Sequence, residues 1–227
     1  MRPERILLDI EAQRDFFSPG GSCFDRSHLP AGRNVRRLFA WARRNRVPAM
    51  STMLRVRPGR TGPLAPVPHC VEGTNGEKRI SGALLSRYVN FGIRNTTDLP
   101  ADVFEQYRQV IFEKRHTDIW LHTRAERLLT ELETGRFIIC GAGSAGGIVE
   151  AVVGLRSRGF EVTLAADAIL DLGSPDAEYA WLRMLAKGAV PLSTEEIIAP
   201  PAKRRTAGRA GHAGRPALRC GDGALIG

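Results

Sequence analysis

Between Phe137 and Ala165 the chain reads as strand, glycine loop, helix and strand, and this one run decides most of the fold. Phe137-Ile-Ile-Cys140 is a short apolar run of the kind that lies buried on both faces of a parallel sheet. Gly141 to Gly147 supplies the loop, Ile148 to Arg158 the helix, and Phe160 to Ala165 the returning strand. A strand that returns beside its predecessor after a helix must pair in parallel. Ligands then gather at the carboxyl ends of the strands.

The rest of the chain extends the same alternation. Arg5 to Ile10 reads as a strand, and Asn34 precedes a helical pattern with Val35, Leu38, Phe39 and Ala42 on one face. Val47 to Met53 is a second strand, Val110 to Phe112 a third, and Ala189 to Leu192 a last short one. Arg57 to Gly76 is rich in proline and glycine and reads as loop. Leu99-Pro100 opens a helix, and Thr123 is placed to cap another whose apolar face is Ala125, Leu128, Leu129 and Leu132. Ser174 to Lys187 completes the set. The prediction is an α/β, Rossmann-like three-layer sandwich: a mostly parallel six-stranded sheet with helices on both faces.

At 227 residues, 43% hydrophobic and 25% charged, the chain suits one well-buried domain, here residues 1–200. Residues 201–227 differ. They hold Lys203, Arg204, Arg205, Arg209, Arg215 and Arg219 against the single acid Asp222, which is five of the nine net positive charges. Rich in Gly and Ala and poor in large apolar groups, this stretch reads as a disordered basic tail, suited to weak contact with nucleic acid or an acidic surface. Asp9 and Glu11 interrupt the apolar start, which argues against a signal peptide, and no run is long enough to span a membrane. Cys23, Cys70, Cys140 and Cys220 are scattered without metal-type spacing, so a reducing cytoplasm is expected.

Gly141-Ala-Gly143-Ser-Ala-Gly146 matches a dinucleotide fingerprint in its context after a strand and before a helix, with Asp167 placed for a ribose. The match lies late in the chain, however, and its interval to Asp167 is slightly long. Glycines that permit a tight turn and close helix–strand packing account for it as well.

Four segments in order explain more residues. They are Leu7-Leu-Asp-Ile-Glu11-Ala-Gln13-Arg-Asp15-Phe16-Phe17-Ser-Pro19-Gly20-Gly21, Pro68-His69-Cys70-Val71-Glu-Gly73-Thr74-Asn-Gly76, Phe112-Glu113-Lys114-Arg115 with Asp118-Ile-Trp120, and Cys140-Gly141 through Gly147-Ile148. Together they resemble the isochorismatase-like hydrolases, which include nicotinamidases and related cysteine hydrolases. The resemblance implies that an Asp, a Lys and a nucleophilic Cys converge at the strand ends, and it places these on Glu11, Lys114 and Gly147. Gly147 bears no thiol, so a thiol acyl-enzyme is excluded at that position. The substrate would then lie against Phe16, Ala142, Gly143 and Gly146, and a cis peptide is implied at Ala142–Gly143. Cys140 reads as an inert buried thiol, Cys70 as packing, and Ser144 as a weak candidate for a substitute nucleophile.

The resemblance also places the nicotinamidase metal ligands on Leu54 and Val56. Only His69 of that set remains, and it reads as a hydrogen-bonded pin for its loop. No cofactor is expected. His28, His116, His122 and His212 read as surface or loop residues. True isochorismatases also carry Gly at the Cys position, which implies hydrolysis of a small anionic substrate with the carboxylate of the first strand as general acid. Two alternatives stay open: a catalytically inactive family member that binds or assembles, and a dinucleotide-binding protein. A homo-oligomer is compatible with any of them.

Overall fold

The structure, a computed structural model, describes residues 3–132 and 135–200. The expected tail, with His212 and Cys220, lies outside the described residues. Seven strands form one parallel sheet: β1 (Arg5–Ile10), β2 (Ala49–Leu54), β3 (Tyr88–Asn90), β4 (Gln109–Lys114), β5 (Arg136–Ala142), β6 (Glu161–Leu170) and β7 (Val190–Leu192). Their order is β3-β4-β2-β1-β5-β6-β7, and every pairing is parallel.

Helices cover both faces. On one side α1 (Arg14–Phe17), α2 (Leu29–Arg44) and α7 (Thr194–Ile198) close over Leu7, Ala49 and Ile138. On the other, α3 (Val103–Gln106), α4 (Thr123–Glu131), α5 (Val149–Ser157) and α6 (Ala177–Ala186) close over Ile6, Leu8, Ile10, Phe112 and Ile139. Alternate residues of β1 therefore feed two different cores, as the two-residue period of a strand requires. Among the described residues no helix is long and apolar enough to cross a membrane.

The sheet has one strand more than the sequence suggests. β3 is a three-residue edge whose side chains are largely exposed, so it leaves no apolar run to read. The other edge, β7, is equally short and contains Pro191. β6 runs five residues beyond its expected end, past a register shift opposite Ile139 and Gly141. α2 begins at Leu29, with Pro30 in its first turn, and Asn34 sits inside it. The helix expected from Leu99-Pro100 begins only at Val103.

Two buried polar clusters hold the architecture. Asp9 faces the α2 side, where both its oxygens accept from Arg79 Nη2 at 2.9 Å and one from Ser51, while Arg79 also donates to Ala83 O. Burial raises the Asp9 carboxyl above its ordinary pKa, and Arg79 opposes the shift. Gln13 makes three bonds, donating to Leu54 O and Glu77 O and accepting from Leu54 N. It thereby fastens the end of β2 to the loop before Arg79.

His122, not Thr123, caps α4, and it is buried rather than a surface residue. Its Nδ1 accepts from Ala125 N, which the imidazolium form cannot do. Burial lowers its pKa, followed by smaller effects of opposite signs from its neighbours. A histidine so depressed stabilises the fold above its unfolded pKa of about 6.5, and that stability is lost as pH falls through the lower folded value. Urea midpoints at pH 7.5 and 5 should therefore differ, and His122→Asn should shrink the difference.

Candidate active site

The carboxyl ends of β1, β2, β4 and β5 bring the site together. Register aligns Leu54 with Lys114 and Ile10 with Gly141, so the residue after β1, the last of β4 and the loop after β5 meet at one edge. Glu11 is the first residue beyond β1 and takes a left-handed backbone, φ 48°. That conformation costs about 1–3 kcal/mol in a residue with a Cβ. Its effect is visible across the sheet. Asp9 bonds Ser51 on one face, whereas Glu11, two residues on, bonds Thr52 on the other. The backbone turn redirects a side chain that strand alternation would send toward α2.

Glu11 is fully buried and Lys114 is 2% exposed. Lys114 Nζ lies 2.6 Å from Glu11 Oε1, and Thr52 Oγ1 donates to the same oxygen at 2.8 Å. Lys114 also donates to His116 O (2.9 Å) and Thr117 O (2.6 Å), so all three ammonium protons have acceptors. Glu11 Oε2 is the exception. It is buried and has no hydrogen-bond partner.

Gly147 is where that free oxygen points. A Cβ built there would lie 3.0 Å from Glu11 Oε2 and 2.8 Å from Thr117 O. The loop reaches this position through glycine geometry: Gly141 and Gly143 have φ of 132° and 82°, and Gly146 sits at φ −117°, ψ −118° inside the π-helical turn Ser144–Ile148. All described peptide bonds are trans. The cis bond expected at Ala142–Gly143 is thus absent, and positive-φ glycines make the turn instead.

The residues expected to line the substrate have these surroundings. Phe16 is fully buried and packs on His69, and Ala142 is buried in the core on the α2 side. Gly143 and Gly146 face Leu64, whose Cδ2 would be 2.8 and 2.6 Å from a Cβ at either glycine. His69 holds Leu64 there: its Nε2 accepts from Leu64 N, and its Nδ1 contacts Val67 O. This is the loop-pinning role expected of it. Ser144 Oγ is buried and has no hydrogen-bond partner among the described residues.

Both buried thiols are pushed up, Cys140 by burial and then Asp9, Cys70 by burial and then Asp15 and Glu11. A raised pKa keeps them protonated and unreactive. Leu54 and Val56, where the resemblance places metal ligands, are buried apolar residues, and no group of three His, Cys, Asp or Glu among the described residues could hold a metal. The residues present therefore do not fit a nicotinamidase-type metal centre.

Asp167, which the fingerprint places for a ribose, is engaged elsewhere. Asp167 accepts from Thr194 N and Oγ1, both at 2.7 Å, and anchors the start of α7. It lies inside β6 rather than at its end. A Cβ at Gly141 would collide with Ile10 O, so that glycine is required for close strand packing.

Residues 93–196 match the family model of the isochorismatase domain. That segment, a little under half of the chain, is similar to the isochorismatase domain. No curated protein matches it closely. Among solved structures it resembles the pyrazinamidase of Pyrococcus horikoshii determined with zinc, at 22% identity over 84% of this chain and 99% of that one, TM-score 0.62. An isochorismatase family protein from Desulfovibrio vulgaris also gives 0.62, at 17% identity over 86% and 97%. The MAR1 ribonuclease of Caenorhabditis elegans gives 0.57, at 16% identity over 87% and 81%. The isochorismatase-like fold is thus shared with proteins of differing named activities, and the chemistry of this member rests on its own residues.

Sequence reasoning missed Thr52, Thr117 and Leu64. A threonine beside a buried carboxylate carries no sequence signal, Thr117 acts through its main chain, and Leu64 lies in a loop without periodicity. Two substitutions test the packing of the centre. Lys114→Ala leaves a buried carboxylate unpaired and should cost about 3–5 kcal/mol in urea unfolding, partly recovered in the Glu11→Gln/Lys114→Ala double variant. Gly147→Ala and Gly147→Cys should each cost about 1–3 kcal/mol, because the added atom meets the Thr117 carbonyl.

Proposed function

We propose that this chain is a thiol-independent hydrolase of a small anionic substrate, with Glu11 as general acid. The observation that supports this reading most is the Glu11 carboxylate: one oxygen held by Lys114 and Thr52, the other buried, unpartnered and directed at the space beside Gly147. A proton on Oε2 leaves both bonds to Oε1 intact, so the same geometry serves the acid and its conjugate base. Lys114 acts as a positioning residue, since its three protons are already engaged.

For a carboxylated vinyl ether the steps balance simply. Glu11 Oε2 gives its proton to the alkene carbon, and water adds to the resulting oxocarbenium ion, returning a proton to Glu11. The hemiketal then breaks its carbon–oxygen bond to yield a ketone and an alcohol. No step needs a side chain at Gly147. Leu64 must move aside for the substrate to enter.

A second reading is a non-catalytic member that keeps the fold for binding or assembly. It is favoured by Leu64 over Gly143 and Gly146 and by the Thr117 carbonyl beside Gly147, which together fill the centre. Turnover decides between the two. In a screen of carboxylated vinyl ethers, Glu11→Gln should lower kcat about 10²–10⁴-fold with little change in KM. Iodoacetamide should leave the rate unchanged. Absence of turnover in both the native chain and Leu64→Ala would support the non-catalytic reading.

A further inference from the structure

Beside the buried centre lies a second feature that the mechanism does not use. The chain leaving β2 (Arg55, Val56, Arg57, Arg60, Gly62, Pro63) and the chain leaving β4 (Arg115, His116) enclose an open cavity of about 470 Å³. Four arginines border it. They are not equivalent.

Two are committed to the wall. Arg55 reaches Glu77 at 3.1 Å, Glu113 at 3.6 Å and Glu72 at 3.8 Å, while Arg115 reaches Glu72 at 2.9 Å and donates to Arg55 O. Arg57 and Arg60 have no side-chain hydrogen bond or ion pair among the described residues, and both are exposed on the strap before Leu64. Unpaired guanidinium groups at a concave rim present forks that fit the planar or tetrahedral oxygens of an anion. The carboxylates of this wall, Glu72, Glu77 and Glu113, are already engaged by Arg55 and Arg115.

The cavity is also adjacent to the catalytic candidates. Its wall residue His116 accepts through its carbonyl from Lys114 Nζ. One residue further, Thr117 O bonds the same ammonium and borders Gly147. On the other wall, Gly62 packs against His69, which holds Leu64 over the glycine loop. A ligand group seated in the cavity thus contacts both the strap that covers the centre and the segment that positions its lysine.

We infer that Arg57 and Arg60, with His116, form a binding site for a doubly charged oxyanion group at the mouth of this centre. The ligand class is a small dianion, either phosphorylated or dicarboxylic. The inference rests on the proposed reaction only in treating this cavity as the approach to Glu11.

Isothermal titration at low ionic strength with phosphate, pyrophosphate and succinate tests it. The native chain should bind at least one of them saturably, and Arg57→Gln/Arg60→Gln should weaken that binding about tenfold or more. Arg183→Gln, on α6, should leave it unchanged. Preference for succinate assigns a dicarboxylate, and preference for phosphate or pyrophosphate a phosphorylated ligand. Either supports the site. Equal affinity in native chain and double variant, or no saturable binding of the three anions, overturns it. So does saturable binding of a single-stranded RNA oligomer without any small-anion binding, which would make the patch a polyanion surface. Anion binding without hydrolase activity would sink the proposed reaction alone. Hydrolysis at a rate indifferent to the arginine pair would sink this inference alone.

Discussion

Burying Glu11 and Lys114 together is the constraint to which the rest of the edge is fitted. Removing two charges from water is expensive, and the pair is tolerable only because further groups complete it. Thr52 from β2 and the carbonyls of His116 and Thr117 supply those bonds. This explains why the chain after β4 turns back over the sheet end instead of running outward. It also explains why Thr117 O comes close to Gly147, leaving no room for a side chain there without displacement. The glycine and the lysine cage are two sides of one packing solution.

How much of this was legible depended on what kind of signal each residue leaves. The central strands were readable because burial on both faces forces continuous apolar runs, as in Ile6-Leu-Leu and Phe137-Ile-Ile. Tyr88–Asn90 was not, since an exposed edge needs no such run. Glu11, Lys114 and Gly147 were found through ordered motifs, and the geometry does bring them to one edge. The left-handed backbone at Glu11 was invisible, because nothing in a glutamate announces a positive φ. His122 was misread for a similar reason: a cap is normally sought among Ser, Thr, Asp and Asn, whereas here a neutral imidazole does that work.

The glycine loop shows how one motif supports different physics. Its spacing is that of a phosphate-binding turn, yet each glycine answers a local steric demand: Gly141 against β1, Gly143 and Gly146 beneath Leu64, Gly147 beside Thr117. The residue that would have completed the nucleotide reading, Asp167, instead fastens α7 across the top of β6. Spacing alone could not separate these cases. The neighbours of each missing side chain do.

The two sheet margins have a consequence for how such chains meet one another. β3 and β7 are each three residues long, and Pro191 removes an N–H from the middle of β7. A parallel sheet with long open borders would offer a template on which further copies could stack strand by strand without limit. Here the ladder is too short and, on one border, chemically interrupted. Among the described residues the two borders therefore offer little ladder for sheet extension, and the helix faces and loops present the larger surfaces.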